Sequence, residues 1–267
     1  MTEKKPLTGQ QLRTLLPQVK EIVLSAGNFL AKTAISSISQ KEGHSNFVTD
    51  MDIAVQDRLV AALKPLLPDA SYLLEESENT AVPADPVWII DPIDGTRNFI
   101  CGNGMSTISV GLASQGRAVL GVVYNPFTRE LFSAARGQGA FLNDMPIHVI
   151  ERPLEDAVLC AGTSPYYEEL NEKVIRTLAR LFPLCGDFRR FGSAALEICY
   201  SACGKCDGFF EYRLNPWDYT GAAIVMEEAG GKITTIGSDR LDCTQKCGIL
   251  ACGGNIFDNI MEVLTTT

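Results

Sequence analysis

A short apolar run, Val87-Trp88-Ile89-Ile90, ends directly in Asp91-Pro92-Ile93-Asp94-Gly95-Thr96, and this junction constrains the chain more than any other stretch. The apolar residues read as a buried strand. Two carboxylates three residues apart leave the end of that strand, and a Gly-Thr pair at a helix N-terminus follows. Hard oxygen ligands then lie beside backbone N–H groups. That combination suits a divalent cation and a phosphate bound side by side. Taken alone, Asp-Gly is also ordinary turn chemistry.

The chain has 267 residues, enough for one large domain or two small ones. Its apolar share of 46% and charged share of 21% are those of an ordinary globule. A formal charge of −9 argues against a surface for nucleic acid or other polyanions. It leaves room for a phosphorylated substrate, because bound cations reverse the field inside an acidic site. No N-terminal apolar segment and no apolar run of about 18 residues is present, so the expected setting is cytoplasmic, with no membrane partner. The 9 cysteines are an odd number, and reduced thiols are expected. Cys203 and Cys206 have CxxC spacing, with Cys243 and Cys247 downstream. No second CxxC completes a zinc set, and His44 and His148 are remote. A turn carrying incidental thiols is the expected reading.

Apolar positions at Leu12, Leu15, Leu16, Val19, Ile22, Val23 and Ala26 predict a helix from Gly9 to Ile38. A polar loop spans Lys41 to Asn46. A second helix, capped by Thr49, is predicted from Asp50 to Leu66, and a loop from Glu78 to Pro86. Thr107–Leu112, Ala118–Tyr124 and Glu130–Ala135 read as an antiparallel meander. Beyond about Asp144 strands and helices alternate. Strands are expected at Val158–Cys160, Pro183–Gly186, Gly208–Tyr212, Lys232–Thr235 and Gly248–Cys252. Helices are expected at Tyr167–Leu181, Ser193–Ala202, Trp217–Ala229 and the C-terminus. The pattern divides into an N-terminal half, residues 1–143, and a C-terminal α/β half, residues 144–267, packed tightly around one site.

Two further acidic clusters flank the junction. Glu75-Glu76 follows its own apolar run, Tyr72-Leu73-Leu74. Pro216-Trp217-Asp218 opens a helical segment that ends in Glu228-Ala229-Gly230-Gly231, where Asp218 is equally suited to cap the helix. In this order and with these flanks, the motifs resemble the inositol monophosphatase superfamily of metal-dependent phosphatases, which includes fructose-1,6-bisphosphatase. The resemblance runs from about Lys41 to about Gly231. It implies an α+β fold, a layered αβαβα sandwich, with the active site between the halves.

The resemblance also implies a ligand set. Glu75, Asp91 and the backbone carbonyl of Ile93 would hold a first Mg²⁺. Asp91 would bridge to a second, completed by Asp94 and Asp218, with a third, weaker ion near Glu75. Oxygen-rich ligation favours Mg²⁺ or Mn²⁺ over zinc. Thr96, paired with Asp52 of Val48-Thr49-Asp50-Met51-Asp52, would orient and deprotonate the attacking water, with Glu75 also serving catalysis. For Asp52 a helix-dipole carboxylate is an equal reading. The N–H groups of Gly95 and Thr96 would take phosphate oxygens. Ser193 and Ala194, in Arg190-Phe191-Gly192-Ser193-Ala194-Ala195, would meet the substrate alcohol. Glu211 and Asp218 would accept its hydroxyls. Glu76 reads better as a solvated or supporting carboxylate, Lys41 as a solvated loop lysine, and His44 and His148 as structural or surface residues. The resemblance further implies a homodimer and lithium sensitivity. The expected substrate is inositol monophosphate or a similar polyol phosphate. The rivals are fructose 1,6-bisphosphate, 3′-phosphoadenosine 5′-phosphate, NADP and histidinol phosphate, with Arg189, Arg190 and Arg213 as sources for a second anion site. A non-catalytic regulatory protein on the same fold is the rival from another class.

Overall fold

The computed structural model describes residues 6–33, 37–40, 47–77 and 84–267. Lys41, His44 and most of the loop expected from Glu78 lie outside them. Helix α1 (Gly9–Lys32) starts at Thr8, which forms a reciprocal capping box with Gln11. Its Leu12, Leu15, Val19, Val23 and Leu30 face is buried. The helix does not reach Ile38 as the periodicity predicts. Thr33 is already extended, and Ile38 lies in β1 (Ile38–Gln40), antiparallel to β2 (Phe47–Thr49). The run from Thr33 to Ser39 is rich in serine and β-branched residues, which are weak helix formers.

Helix α2 (Asp50–Leu63) stops short of Leu66, because Pro65 has no N–H to continue the ladder. Strand β3 (Ser71–Leu74) is parallel to β4 (Val87–Asp94), which runs on through the acidic motif instead of ending before it. After α3 (Thr96–Cys101) comes the expected meander, β5 (Thr107–Ser114), β6 (Arg117–Asn125) and β7 (Glu130–Ala135). A hairpin, β8 (Ala140–Leu142) and β9 (Met145–Ile147), completes this sheet.

The second half contributes β10 (Val158–Ala161), α4 (Asn171–Leu181), β11 (Asp187–Arg189), α5 (Ala194–Ala202) and β12 (Gly208–Leu214). It ends with α6 (Pro216–Glu228), β13 (Lys232–Thr235), β14 (Cys247–Cys252) and α7 (Gly254–Thr266). The strand expected at Pro183–Gly186 is displaced to β11. Pro183 offers no ladder donor, and the Gly186 N–H is used on the Ala157 carbonyl. Likewise the helix expected from Tyr167 opens as a 3₁₀ turn, Glu168–Leu170. Cys203 and Cys206 belong to the turn after α5, and all nine thiols are free.

Among the described residues the strands other than the β1-β2 pair form a seven-stranded sheet, β3-β4-β5-β6-β7-β8-β9, and a five-stranded one, β11-β10-β12-β14-β13. α1 and α2 cover the outer face of the first sheet, α5 and α6 fill the space between sheets, and α4 and α7 cover the far side. These are the five layers that the resemblance implies. α6 lies between two sheets and is therefore buried nearly all round, from Pro216 to Met226. One apolar cluster joins Leu73, Val123 and Phe132 of the first sheet, through Ala223 of α6, to Phe209 and Ala251 of the second sheet.

Candidate active site

The two acids of the β4 motif share a face only because the strand is irregular. Residues three apart on a regular strand point to opposite sides. Here Asp91 is opposite Ser109 and Asp94 opposite Thr107, so β4 advances three residues while β5 advances two. That is a one-residue bulge. Pro92 sits inside it, where its missing N–H breaks no ladder bond, and the Ile93 N–H folds back on Asp91 Oδ1 at 2.9 Å. Gly95 then caps α3 at φ +87°, a left-handed conformation that favours glycine.

Two further acids arrive on helix starts, while Glu75 follows β3 and Glu211 lies in β12. At α2, Asp52 Oδ2 accepts from the Thr49 N–H at 2.7 Å and the Thr49 hydroxyl at 2.6 Å. Its Oδ1 lies 3.3 Å from the Thr96 hydroxyl, which is also 3.1 Å from the Ile93 carbonyl. Asp52 is thus a cap and a partner of Thr96 at once. At α6, Asp218 Oδ2 accepts from the Asn215 N–H at 2.7 Å, closing a capping box behind Pro216.

Glu75, Asp91, Asp94, Thr96, Glu211 and Asp218 line one cavity of about 690 Å³ between the halves. Asp91 is 2% exposed. Burial, then the charges of Glu75 and Asp94, hold its carboxyl well above the usual range. Burial, then Glu75 and Asp94, do the same to Asp218. Burial pushes Asp94 up to about 6, against the pull of Ser193 and the Ala195 N–H. Among the described residues no three acidic, His or Cys side chains form a preformed metal cage. The fit lies in the chemistry of the donors. Several carboxylates that raise one another's pKa in a shared, largely buried pocket are neutralised by hard divalent cations, and the donors are all oxygen.

Ser193 and Ala194 also line the cavity, but the Ser193 hydroxyl is directed to Asp94 Oδ2 at 2.6 Å and the Ala195 N–H to the same oxygen at 2.8 Å. Glu211, 9% exposed, accepts from the Ser164 N–H at 2.7 Å, and burial raises it to about 7. Glu76 is outside the cavity lining and pairs its N–H with Gln56. His148 is exposed and remote from the cavity lining. Arg213 is paired with Glu169 at 2.5 Å and Arg189 with Asp187 at 2.5 Å, while Arg190 Nε donates to the Thr163 hydroxyl at 3.0 Å.

Three residues have roles that the sequence reading did not assign. Glu197 is buried in α5 and accepts from the Phe191 N–H and, at 3.1 Å, the Gly192 N–H, holding the turn that carries Ser193. A lone acid in the apolar run Ala194–Ala202 was its signal. Asn98 Nδ2 donates to the Met105 carbonyl at 2.8 Å and the Phe191 carbonyl at 2.7 Å, tying α3 to that turn. Gly162 has no Cβ because the Glu211 carboxylate occupies its place.

The chain matches the model of the inositol monophosphatase family over residues 9–265. It is 37% identical over 214 residues to Nus factor SuhB of Escherichia coli, covering 78% of this chain and 80% of that protein. It is 34% identical over 276 residues to inositol-1-monophosphatase of Synechocystis sp., covering 99% and 93%. The solved structure of inositol monophosphatase from Anabaena (Nostoc) sp. matches with a TM-score of 0.85 at 32% identity, over 96% of this chain and 97% of that one. With the acidic pocket and the five-layer fold already in place, the chain belongs to the inositol monophosphatase family, a metal-dependent family of phosphoric monoester hydrolases.

Proposed function

We propose that this protein hydrolyses the phosphate monoester of inositol monophosphate, or of a similar polyol, by direct attack of water on phosphorus. The observation that carries this reading is the meeting of Glu75, Asp91, Asp94 and Asp218 with Glu211 in one cavity. Glu75, Asp91, the Ile93 carbonyl, Asp94 and Asp218 would hold two or three Mg²⁺ ions, or Mn²⁺. Bound there, such cations would supply charge neutralisation for the phosphate, acidification of water and stabilisation of the leaving alkoxide. The Thr96 hydroxyl donates to Asp52, leaving its oxygen lone pair to orient the attacking water. The water's proton passes to Thr96 as the Thr96 proton passes to Asp52. Glu75, at the end of β3 beside β4, borders the same cavity and would help to place the water. The Gly95 and Thr96 N–H groups take phosphate oxygens. Ser193 acts by fixing Asp94, Ala194 borders the alcohol, and Glu211 and Asp218 accept its hydroxyls.

A bisphosphate or nucleotide needs a basic cluster for its second anion. Of the three arginines, Arg213 and Arg189 are paired with acids and Arg190 is bonded to the Thr163 hydroxyl, an arrangement that favours a neutral polyol edge over a three-arginine anion site. The name Nus factor among the relatives supports a second, regulatory reading. Against it stands the complete set of ligand acids in this chain. Phosphate release from a panel of inositol, sugar and nucleotide phosphates separates these readings. Mg²⁺-dependent release led by inositol monophosphate, abolished by EDTA and inhibited by Li⁺, is expected. Release led by a bisphosphate overturns the substrate, and no release at all favours the regulatory reading.

The active form is proposed to be a cytoplasmic homodimer in which residues 1–143 and 144–267 work as one unit. No helix among the described residues is long and apolar enough to cross a membrane. Support for the dimer comes from the edge of the second sheet. Beside edge strand β11, Phe182 is 68% exposed and Ile175 66%, and Phe182 stacks on Phe188. Such a ridge beside an unpaired strand invites a second copy. Phe182→Asp is expected to weaken dimerisation by about 2 kcal/mol or more. A variant that sediments as the wild-type dimer at low micromolar concentration would remove this ridge from the interface.

A further inference from the structure

Tyr166 and Tyr167 are adjacent aromatics in different circumstances. Tyr167 is anchored: Arg213 lies 4.6 Å over its ring, Lys246 lies 4.9 Å from it, and its N–H donates to the Ser164 carbonyl at 3.0 Å. Tyr166 is 55% exposed, yet it lines the cavity. Among the described residues its hydroxyl has no hydrogen-bond partner.

The backbone explains the presentation. The loop leaves β10 with the Gly162 N–H on the Phe210 carbonyl at 2.8 Å, then passes over Glu211 and binds it through the Ser164 N–H. Ser164 turns the chain at φ +44°, and Pro165 stiffens the next step. Fixed on both sides, the loop holds the Tyr166 ring over the acidic cavity. Partial desolvation at the cavity wall and the charges of Glu75, Asp218, Asp94 and Glu211 push the phenol up to about 12, so it stays a hydrogen-bond donor.

We propose that Tyr166 is a specificity-determining residue whose ring covers the C–H face of a cyclic polyol, while its hydroxyl donates to a hydroxyl of that ring. The inference rests on the phosphatase reading and narrows it to cyclic over acyclic polyol monophosphates. The negative face of an aromatic ring attracts polarised C–H groups, and a tyrosine loses little conformational freedom on contact. An acyclic substrate presents no such face.

The test is steady-state kinetics with Mg²⁺ on inositol 1-phosphate and glycerol 2-phosphate, for wild type, Tyr166→Ala and Tyr166→Phe. Tyr166→Ala is expected to lower kcat/KM about tenfold for the cyclic substrate, mainly through KM. For glycerol 2-phosphate it should stay within about twofold. Tyr166→Phe should fall between, because it keeps the ring and loses the donor. A wild type active on both substrates, with Tyr166→Ala changing neither or both equally, overturns the role of Tyr166 alone. A wild type that releases phosphate from neither overturns the phosphatase reading and this inference with it. Melting curves of the variants, expected to match wild type for an exposed side chain, separate recognition from folding.

Discussion

Asp94→Asn is expected to reduce kcat at least a thousandfold, on the order of 4 kcal/mol of transition-state stabilisation, and to leave the fold intact. Asp94 Oδ2 is the acceptor for Ser193 and the Ala195 N–H. An asparagine carbonyl oxygen can take both bonds, so the junction between β4 and α5 survives. What is lost is the negative charge beside Asp91 and Asp218. The sign for stability is informative as well. Burial raises the folded-state pKa of Asp94 to about 6 from an ordinary 3.8. The folded state then holds its proton more tightly than the unfolded chain does. Stability from this group falls as pH rises between those values, and the cost is fully present above about 6. In EDTA at pH 7 the variant should therefore melt no lower than wild type. Added Mg²⁺ should raise the melting temperature of wild type more than that of the variant. Near-normal turnover in purified Asp94→Asn would mean that the proposed ligand set is wrong.

The parts legible from sequence were those with strong local signals. The β5–β6–β7 meander, α5 and α6 were set by apolar pattern and caps, and they fall where expected. The acidic motif was visible, but its geometry was not. Nothing local says that β4 continues past Ile90, because the bulge is defined by its register with β5. The same is true of Asp52: the capping pattern is local, whereas the 3.3 Å approach of Thr96 depends on how α2 meets α3. Errors at Ile38, Leu66 and Pro183–Gly186 came from extending a period through residues that cannot sustain it, by proline or by β-branching. The roles of Glu197 and Asn98 went unassigned for other reasons. Glu197 holds the Phe191 and Gly192 N–H groups just upstream, through a turn whose shape no apolar pattern announces, whereas Asn98 reaches the Phe191 carbonyl only once distant parts of the chain assemble.

Gly121→Ala is expected to cost about 3 kcal/mol or more of stability, a fall of roughly 6–12 °C in melting temperature for a chain of this length. Gly111 and Gly121 are paired across β5 and β6, and α6 crosses directly over them. A Cβ on Gly121 would fall far inside van der Waals contact with the Gly221 carbonyl oxygen, and one on Gly111 would be 2.7 Å from Thr220 Cγ2. On the helix side, a Cβ on Gly221 would be 2.6 Å from Ser109 Oγ. Three glycines thus form the slot in which α6 lies. The helix cannot retreat, because α5 and the second sheet close its other side. This helix carries Asp218 at its first turn. A shift imposed at Gly121 should therefore lower phosphate release at temperatures well below unfolding, which a purely thermal defect would not do. Gly254→Ala is the control: nothing lies within 4 Å of its added Cβ, and the position is the first of α7. It should be neutral or stabilising by up to about 1 kcal/mol. If Gly121→Ala melted like this control, α6 would have slack against the sheet, and the close approach could not be what fixes Asp218.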